Sequence, residues 1–228
     1  MSFYGNSCNG FSCIGEHISI HYIQQLKKLR DTMSVGGDAM RFNELIDLIE
    51  SDLYRHTGKV NTLLFLRNVV FNPGFKYSFW MRMSAHLNRH ILFKCSMYYF
   101  AAIMLAHYRD KYGIDIPFTT QIGSGLYIGH SGGIVVGATS IGKNFSISQG
   151  VTIGQTNRGE RKGRPTIGNN VYVGPGAIVI GNIKIGDNVA IGANCVVTKD
   201  IPDNAVVTGV TGVVISYKGA EGYLLNPT

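Results

Sequence analysis

A six-residue period dominates the second half of the chain. Ile or Val occupies thirteen positions spaced six apart, with a one-residue shift after Ile134 and a longer break after Ile153, and eight are followed directly by Gly. The positions are Ile116, Ile122, Ile128, Ile134, Ile141, Ile147, Ile153, Ile167, Val173, Val179, Ile185, Ile191 and Val197. Neither a helical period near 3.6 nor strand alternation predicts a strict six. A parallel β-helix does, because each hexad forms one flat side of a coil that stacks on its neighbours.

The period therefore predicts a mainly β fold, a left-handed parallel β-helix behind an N-terminal α-helical domain. The branched aliphatic side chain fills the narrow interior, where β-branched residues pack well. The glycine beside it is expected at a corner that needs unusual backbone conformations. Three hexads close one triangular coil, so roughly five coils stack. A β-sandwich is less consistent with the period, because its turns recur every 8–12 residues.

Composition divides the chain near residue 112. All seven Met and nine of eleven Phe precede that point, whereas 22 of 29 Gly follow it. We predict a partly ordered extension over residues 1–37, an α-helical domain over 38–112, the β-helix over 113–216 and a tail over 217–228.

Helical periodicity is clearest at the start of the first domain. Five apolar residues fall at i, +3, +4, +7 and +11 on one helical face: Phe42, Leu45, Ile46, Ile49 and Leu53. Asp38 is the expected N-cap and Gly58 the expected stop. Pro73-Gly74 is expected to break the chain, with further helices over 76–90 and 92–110.

Aromatic residues are concentrated in these last two helices. Trp80, Tyr98, Tyr99 and Phe100 are expected in a helical core or at contacts between copies. Peripheral contact of residues 76–110 with a membrane surface is a second interpretation, because the segment is both aromatic and basic.

Several functional classes are disfavoured. The net charge is +7, but no dense basic stripe with interleaved aromatics predicts a nucleic-acid partner. The four Cys form neither a disulfide framework nor a zinc-ligand cluster, so no metal is expected. The start lacks a signal-peptide pattern, and the longest apolar run, residues 95–107, is too short to span a bilayer. We therefore expect a cytoplasmic protein.

The break in the period marks a loop extruded from the β-helix over residues 155–166. It contains Arg158, Arg161, Lys162 and Arg164, half of the basic residues after residue 113. A loop pushed out of a regular prism indicates a functional excursion. A disordered tip that only aids solubility is the alternative.

His130 is the only histidine after residue 107, and it lies among small residues in YIGHSGG. A neutral imidazole is the usual general base near neutral pH. Asp115, in YGIDIP, is the only acid between residues 111 and 159. A carboxylate bonded to the far ring nitrogen would orient the base, although the 15-residue spacing is not a full coil.

These segments carry a family resemblance. Residues 40–216 resemble the serine acetyltransferase branch of the hexapeptide-repeat acyltransferases, and most of all the copies in bacterial capsule and exopolysaccharide clusters. The resemblance lies in ESDLYRHTGKV, NPGFKYSFWMRMSAHL, the stretch from YGIDIP to ATSIG, ISQGVTIGQT and the stretch from TIGNN to VVTGV. Asp115, His130 and the loop after Ile153 together carry the branch-level likeness.

The resemblance implies a reaction and a site. It implies an acetyl-CoA-dependent O-acetyltransferase with His130 as general base and Asp115 orienting it. It implies a homotrimer or a dimer of trimers, with active sites between neighbouring β-helices. By similarity, acetyl-CoA contacts Gly154, Gly174, Ala193, Thr198 and Lys199, and the basic loop, through Arg161 and Arg164, is expected to bind the acceptor.

Three departures from the branch bear on the acceptor. Gly129 replaces an acid before the base, the loop runs Arg161 to Pro165 without a His, and residues 55–58 replace an Arg-Asp-Pro-Ala segment. The missing groups hold the amine and carboxylate of serine, and an unpaired buried charge is costly. We therefore expect acetyl transfer to a sugar hydroxyl in surface-polysaccharide biosynthesis.

Two alternatives are kept. The first is a serine O-acetyltransferase of cysteine biosynthesis with a rebuilt pocket. The second is a non-catalytic β-helix that serves as a scaffold or CoA-binding module, which the presence of His130 disfavours.

Overall fold

The computed structural model describes residues 37–89, 97–210, 212–220, 222–224 and 226–227. The predicted N-terminal extension lies outside these residues except for Gly37. Four helices come first: α1 Gly37–Thr57, α2 Thr62–Phe71, α3 Pro73–Arg89 and α4 Met97–Tyr112. Within the described ranges, no helix is long and apolar enough to cross a membrane.

Fifteen short strands follow the helices. They are β1 Ile114–Asp115, β2 Gln121–Ile122, β3 Tyr127–Ile128, β4 Ile134–Val136, β5 Ser140–Ile141, β6 Ser146–Ile147, β7 Thr152–Gly154, β8 Thr166–Ile167, β9 Tyr172–Val173, β10 Ile178–Ile180, β11 Lys184–Ile185, β12 Ala190–Ile191, β13 Val196–Val197, β14 Val206–Thr208 and β15 Val213–Ser216. Their sheet order confirms a parallel β-helix with hexapeptide repeats.

Each coil contributes one strand to each of three faces. Face A contains β1, β4, β7, β10 and β13, face B contains β2, β5, β8 and β11, and face C contains β3, β6, β9, β12, β14 and β15. Every pairing is parallel except that of β15, which runs antiparallel to β14. Face B continues into the fifth coil through a bridge between Ile185 and Ile201.

The interior of the prism is apolar and stacked. All thirteen positions of the six-residue period are buried, as the sequence predicts. A second set of interior residues, which the six-residue period does not predict, lies two positions before the first. It includes Leu126, Phe145, Val151, Val171, Ala177, Val189 and Cys195, each fully buried. Two inward side chains per side make each coil a continuous layer of the core.

The predicted role of the glycines is wrong. None of the eight glycines that follow a repeat position has a positive φ. A Cβ on Gly123 would lie 2.8 Å from the carbonyl carbon of Gly142 in the next coil, so glycine is needed for close stacking. The left-handed conformation is instead taken by asparagines such as Asn144 and Asn170, whose side chains hydrogen-bond at 2.9 Å.

The helical region differs from its prediction in two places. Helix α2 was not predicted, and the break expected at Pro73-Gly74 falls at Asn72, so that Pro73 begins α3. Proline suits a first helical position because its missing N–H needs no partner there. Gly74 is needed for packing, because a Cβ would lie 2.2 Å from the carbonyl oxygen of Ile128 in β3. The other bounds differ by a few residues, and residues 90–96 are outside the description.

Buried polar groups join the helices to the first coils. The Arg82 guanidinium forms a salt bridge with Asp52 at 3.1 Å and donates to the carbonyl oxygens of Ile122 and Gly123. Asp52 also accepts the Leu126 N–H at 2.7 Å. Burial raises the pKa of Asp52, while Arg82 opposes that rise. Loss of either partner would therefore leave the other charge buried without compensation.

Candidate active site

His130 projects from the corner that ends face C and begins face A, here called the C–A edge. Its backbone is fixed on both sides: Gly129 N–H donates to Ile147 at 3.0 Å, and the Gly132 carbonyl accepts from Gly150 at 2.7 Å. The side chain itself is exposed. A rigid corner with a free imidazole is suited to a general base, because its position is set while its ring stays accessible.

A cleft of about 340 Å³ opens beside His130 and is called the His130 pocket. It is lined by Tyr127, Gly129, His130, Ser146, Ile147, Ser148, Gln149, Tyr172, Pro175 and Tyr223. Hydroxyl and amide groups from three coils and the C-terminal tail thus line the same pocket as the imidazole. A larger cavity of about 570 Å³, lined by α1, α3 and the first two coils, does not include His130. The pocket with the base is therefore the candidate site, despite its smaller size.

Gln149 lies directly above His130 in the stack. Ile128 pairs with Ile147, so the residue two positions after each strand occupies the same place on the C–A edge. The Gln149 Oε1 is buried and lacks a hydrogen-bond partner. An unpaired buried acceptor is costly, so this oxygen is available to a donor on a bound molecule.

The segment Arg55–Gly58 packs behind the pocket. His56 lies 4.6 Å from the Tyr127 ring, centroid to centroid, and the Arg55 guanidinium donates to Ser146 Oγ at 2.6 Å. Tyr127 and Ser146 both line the pocket. The end of α1 therefore supports the wall of the site.

His56 is held in its neutral form. Burial, and then the positive charge of Arg55, lower its pKa to about 4. The amide nitrogen of Asn72 lies 3.3 Å from Nδ1, while the amide oxygen of Asn72 accepts from Phe75. Asn72 therefore donates to Nδ1, which places the ring proton on Nε2. That Nε2–H is buried without a partner.

The C-terminal tail returns along face C to the pocket. Ala220 N–H donates to Asn188 Oδ1 at 2.7 Å, and the Tyr223 ring packs 5.3 Å from Tyr172. Asn226 then lies against Gly58, at 3.3 Å from a Cβ placed there. The tail thus supplies one wall of the site.

Asp115 lies on face A in β1, paired with Val135, and its side chain is exposed. No hydrogen bond joins it to His130 within the described chain. The carboxylate is on the flat side beyond the edge that carries the imidazole. Its orienting role therefore stays a prediction.

The residues predicted to contact acetyl-CoA fall on two edges of face A. Gly174 and Ala193 are stacked on the C–A edge that carries His130, since Gly174 N–H donates to Ile191 at 2.8 Å. Gly154 pairs with Ile180 at the far end of face A, and Thr198 follows β13 at that same end. We call this second corner the A–B edge. One chain therefore does not bring all five residues together.

The extruded loop belongs to the A–B edge. Thr156 and Gly163 exchange two backbone hydrogen bonds, and the Arg161 carbonyl accepts from Asn182 at 2.8 Å. The Arg161 guanidinium pairs with Asp200 at 3.1 Å. Arg164 contacts Gln155 at the base of the loop. Within one chain the predicted acceptor residues thus lie beside Thr198 and Lys199, and away from His130.

Gly174 and Gly154, both predicted to contact acetyl-CoA, differ in how much space their backbone leaves for a side chain. A Cβ on Gly174 would lie 2.9 Å from the Ala193 nitrogen, so stacking alone requires glycine there. A Cβ on Gly154 would meet only Thr152, at 3.9 Å, and Gly154 has no positive φ. Its missing side chain leaves open space on the A–B edge, which fits a molecule lying against the backbone. Among the described residues, no group of three His, Cys, Asp or Glu could hold a metal.

Comparison with known proteins supports the interpretation of the repeat. The family model for the bacterial transferase hexapeptide (six repeats) matches residues 164–199. A serine acetyltransferase of Staphylococcus epidermidis is 40% identical over 136 residues, which cover 59% of this chain and 64% of the relative. The crystal structure of Brucella abortus serine acetyltransferase is 30% identical, with a TM-score of 0.62, covering 83% of this chain and 74% of that one. The chain belongs to the hexapeptide-repeat transferases.

Other solved relatives were described with ligands. The Brucella abortus enzyme has also been solved in complex with coenzyme A, at 29% identity and a TM-score of 0.61, covering 83% of this chain and 72% of that one. A Neisseria gonorrhoeae serine acetyltransferase in complex with serine is 27% identical with a TM-score of 0.60, covering 76% and 70%. The chain spans less than two thirds of the length of the curated relatives it matches.

The expectation of a sugar acceptor in surface-polysaccharide biosynthesis is wrong. The relatives and structures compared with this chain are named serine acetyltransferases. The inference failed because it considered only three positions where the family's polar groups are missing. The His130 pocket contains other polar groups, above all the unpaired Gln149 Oε1, that can hold an amine.

The sequence predicts His130 as the base but did not lead to the residues that line the pocket around it. Gln149 could have been found by counting, because the 19-residue offset between Ile128 and Ile147 places it above His130. Tyr172 could have been found from the next offset in the same way. Tyr223 could not, because nothing in the repeat predicts that the tail returns to the site.

Proposed function

We propose that this protein is a cytoplasmic serine O-acetyltransferase, which transfers the acetyl group of acetyl-CoA to the hydroxyl of L-serine. The observation that carries the proposal is the pairing of an accessible imidazole with an unpaired buried acceptor, Gln149 Oε1, in one small pocket. Similarity to serine acetyltransferases, one of them in complex with serine, supports the choice of acceptor.

The proposed chemistry needs one base and no covalent enzyme intermediate. His130 removes the hydroxyl proton of serine while the oxygen attacks the thioester carbonyl carbon. A C–O bond forms, the C–S bond breaks, and the imidazolium returns the proton to the departing CoA thiolate. Backbone N–H groups stabilise the oxyanion. Asp115 is proposed to orient the imidazole, as the family resemblance implies.

Recognition of the serine amine is assigned to the stacked corner. An ammonium is a donor only, so its natural partner is the Gln149 carbonyl oxygen, one coil above the base. Ser148 Oγ lies 4.0 Å from a Cβ placed on Gly129, where the branch has an acid, and provides a second acceptor. In this chain two uncharged acceptors, Gln149 Oε1 and Ser148 Oγ, would take the place of the carboxylate that the branch has at the position of Gly129.

The complete site is proposed to lie between copies in a trimer of left-handed β-helices. The predicted contacts of acetyl-CoA occupy both edges of face A, and His130 is on only one of them. A second copy that brings its A–B edge to the C–A edge of the first would gather all of them in one cleft. The same arrangement brings Arg161 and Arg164 of that copy toward the acceptor.

The proposal is tested by release of the CoA thiol from purified enzyme with a panel of acceptors. We expect L-serine to be turned over with the highest specificity constant, ahead of nucleotide sugars and oligosaccharides. His130→Ala should lower turnover by roughly 10²–10⁴-fold, because general-base catalysis contributes about that much. Asp115→Asn should cost less, and His107→Ala, an exposed histidine on α4, should behave as wild type. The proposal would be refuted if any sugar had a specificity constant as high as that of L-serine. It would also be refuted if His130→Ala left turnover unchanged.

A further inference from the structure

Exposed apolar residues are concentrated on α2 and α4, neither of which contributes a residue to the lining of the His130 pocket. On α2, Leu63 and Phe71 are 77% and 78% exposed. On α4, Ile103 is 66% exposed. We define the helical face as the exposed apolar residues of these two helices: Leu63, Leu66, Val70, Phe71, Met97, Tyr99, Phe100 and Ile103. A surface of this kind indicates a contact with something other than water.

Aromatic contacts connect the two parts of the helical face. Residues 63, 66 and 70 recur at helical spacing and share one side of α2. Ring contacts then lead from α2 to α4 across α3: Phe65 to Phe79 at 5.7 Å, Phe79 to Trp80 at 5.2 Å, and Trp80 to Phe100 at 5.6 Å. Half-buried aromatics of this kind are typical of the boundary between an apolar and a wet environment.

The charge around the helical face has a single sign. No Asp or Glu occurs from residue 53 through residue 109, while eight Lys or Arg do, of which Arg55 and Arg82 are buried. Arg67 is exposed and lies between Leu66 and Val70 on the same side of α2, and Lys59 is exposed just before that helix. Lys111 is exposed at the end of α4. Asp110, the first acid after this stretch of sequence, is paired with Arg109.

We propose that the helical face docks on an anionic phospholipid membrane surface. Apolar and aromatic side chains would enter the headgroup region, and the basic residues would attract the lipid phosphates. A second copy of the chain is the less suitable occupant, because it would bring a face of the same charge. The proposal does not depend on the acceptor of the enzyme.

Vesicle co-sedimentation with the full chain tests this docking. Wild type should bind vesicles of phosphatidylcholine with about a third phosphatidylglycerol and should not bind pure phosphatidylcholine, with binding that weakens as salt rises. The double variant Leu66→Glu, Ile103→Glu should bind at least about tenfold more weakly. Val213→Glu, Ile215→Glu is the matched control, because these residues of β15 are 60% and 62% exposed. It should bind as wild type.

Substitutions of single basic residues measure the electrostatic contribution to vesicle binding. Arg67→Gln should weaken binding roughly fivefold, whereas Lys162→Gln in the extruded loop should have no effect. Light scattering should give all variants the mass of the wild type. The proposal is overturned if wild type ignores anionic vesicles or if the β15 control loses as much binding as the helical variant. A smaller particle for the helical variant would likewise overturn it, because the face would then join copies of the chain.

Discussion

The two regions of this molecule are held together by different forces. The β-helix is stacked from apolar layers, in which each coil contacts only its neighbours, and buried polar side chains are few. The helical region packs some apolar residues on that core, but it is also attached through charged groups taken out of water. Arg82 donates to the carbonyl oxygens of Ile122 and Gly123, Asp52 accepts the Leu126 N–H, and Arg55 donates to Ser146. The β-helix can therefore be lengthened by adding further coils of the same kind, whereas the junction depends on particular pairs of hydrogen-bonded residues. Local changes should therefore act very differently in the two regions.

The largest effect is expected at the buried ion pair of the junction. Arg82→Met leaves the Asp52 carboxylate buried without its partner, which should lower the free energy of unfolding by roughly 3–5 kcal/mol. Arg109→Met removes the exposed pair with Asp110 and should change stability little. Urea unfolding of both variants measures the difference. Equal stability of the two variants would mean that the junction is no more demanding than the surface.

A smaller effect of pH is expected from His56, also at the junction. Its pKa is lowered to about 4 in the folded chain. Between about pH 6.5 and pH 4 the unfolded chain therefore binds a proton at this histidine and the folded chain does not. The resulting stability is present above pH 6.5 and is lost as pH falls to about 4, by about 3 kcal/mol.

Unfolding free energies across this pH range test the effect. His56→Gln should show a flatter pH profile than wild type, whereas His107→Gln, on an exposed part of α4, should follow wild type. Parallel profiles for wild type and His56→Gln would show that another group carries the dependence.

The difference between the regions also explains what the sequence could predict. The interior of the prism followed from the six-residue period, because one rule repeats in every coil. Helix α2 was missed because TLLFLRNVVF has apolar residues on all sides and so shows no amphipathic contrast. The glycine positions were right but their reason was wrong, since the space between coils is visible only once the coils are stacked.

Within the prism, two glycines should respond in opposite ways. Gly174→Ala places a Cβ 2.9 Å from backbone in the next coil and should lower the unfolding free energy by about 1–3 kcal/mol. Gly154→Ala has room and should leave stability within about 0.5 kcal/mol of wild type. It should instead raise the KM for acetyl-CoA, because the methyl group fills the space proposed for the substrate. An unchanged KM would remove Gly154 from the site.

The smallest effect is expected in the extruded loop. Replacing Arg161 and Arg164 with Gln should raise the acceptor KM roughly threefold, more than the acetyl-CoA KM, through weaker steering of an anionic group. The acceptor KM of wild type should rise with ionic strength, and that of the variant should barely change. Lys143→Gln, exposed on another edge, is the control. Loss of affinity for acetyl-CoA alone would assign the loop to the cosubstrate.

The most direct test of the proposed site combines two inactive chains. His130→Ala destroys the C–A edge of a copy, and Gly154→Trp blocks its A–B edge. If each site is built from the two edges of neighbouring copies, every mixed trimer contains one cleft in which both edges are intact. Random mixing of equal amounts should then restore about a quarter of the wild-type rate of CoA-thiol release with L-serine. Activity no greater than that of the two separate variants would place the whole site within one chain and contradict the account.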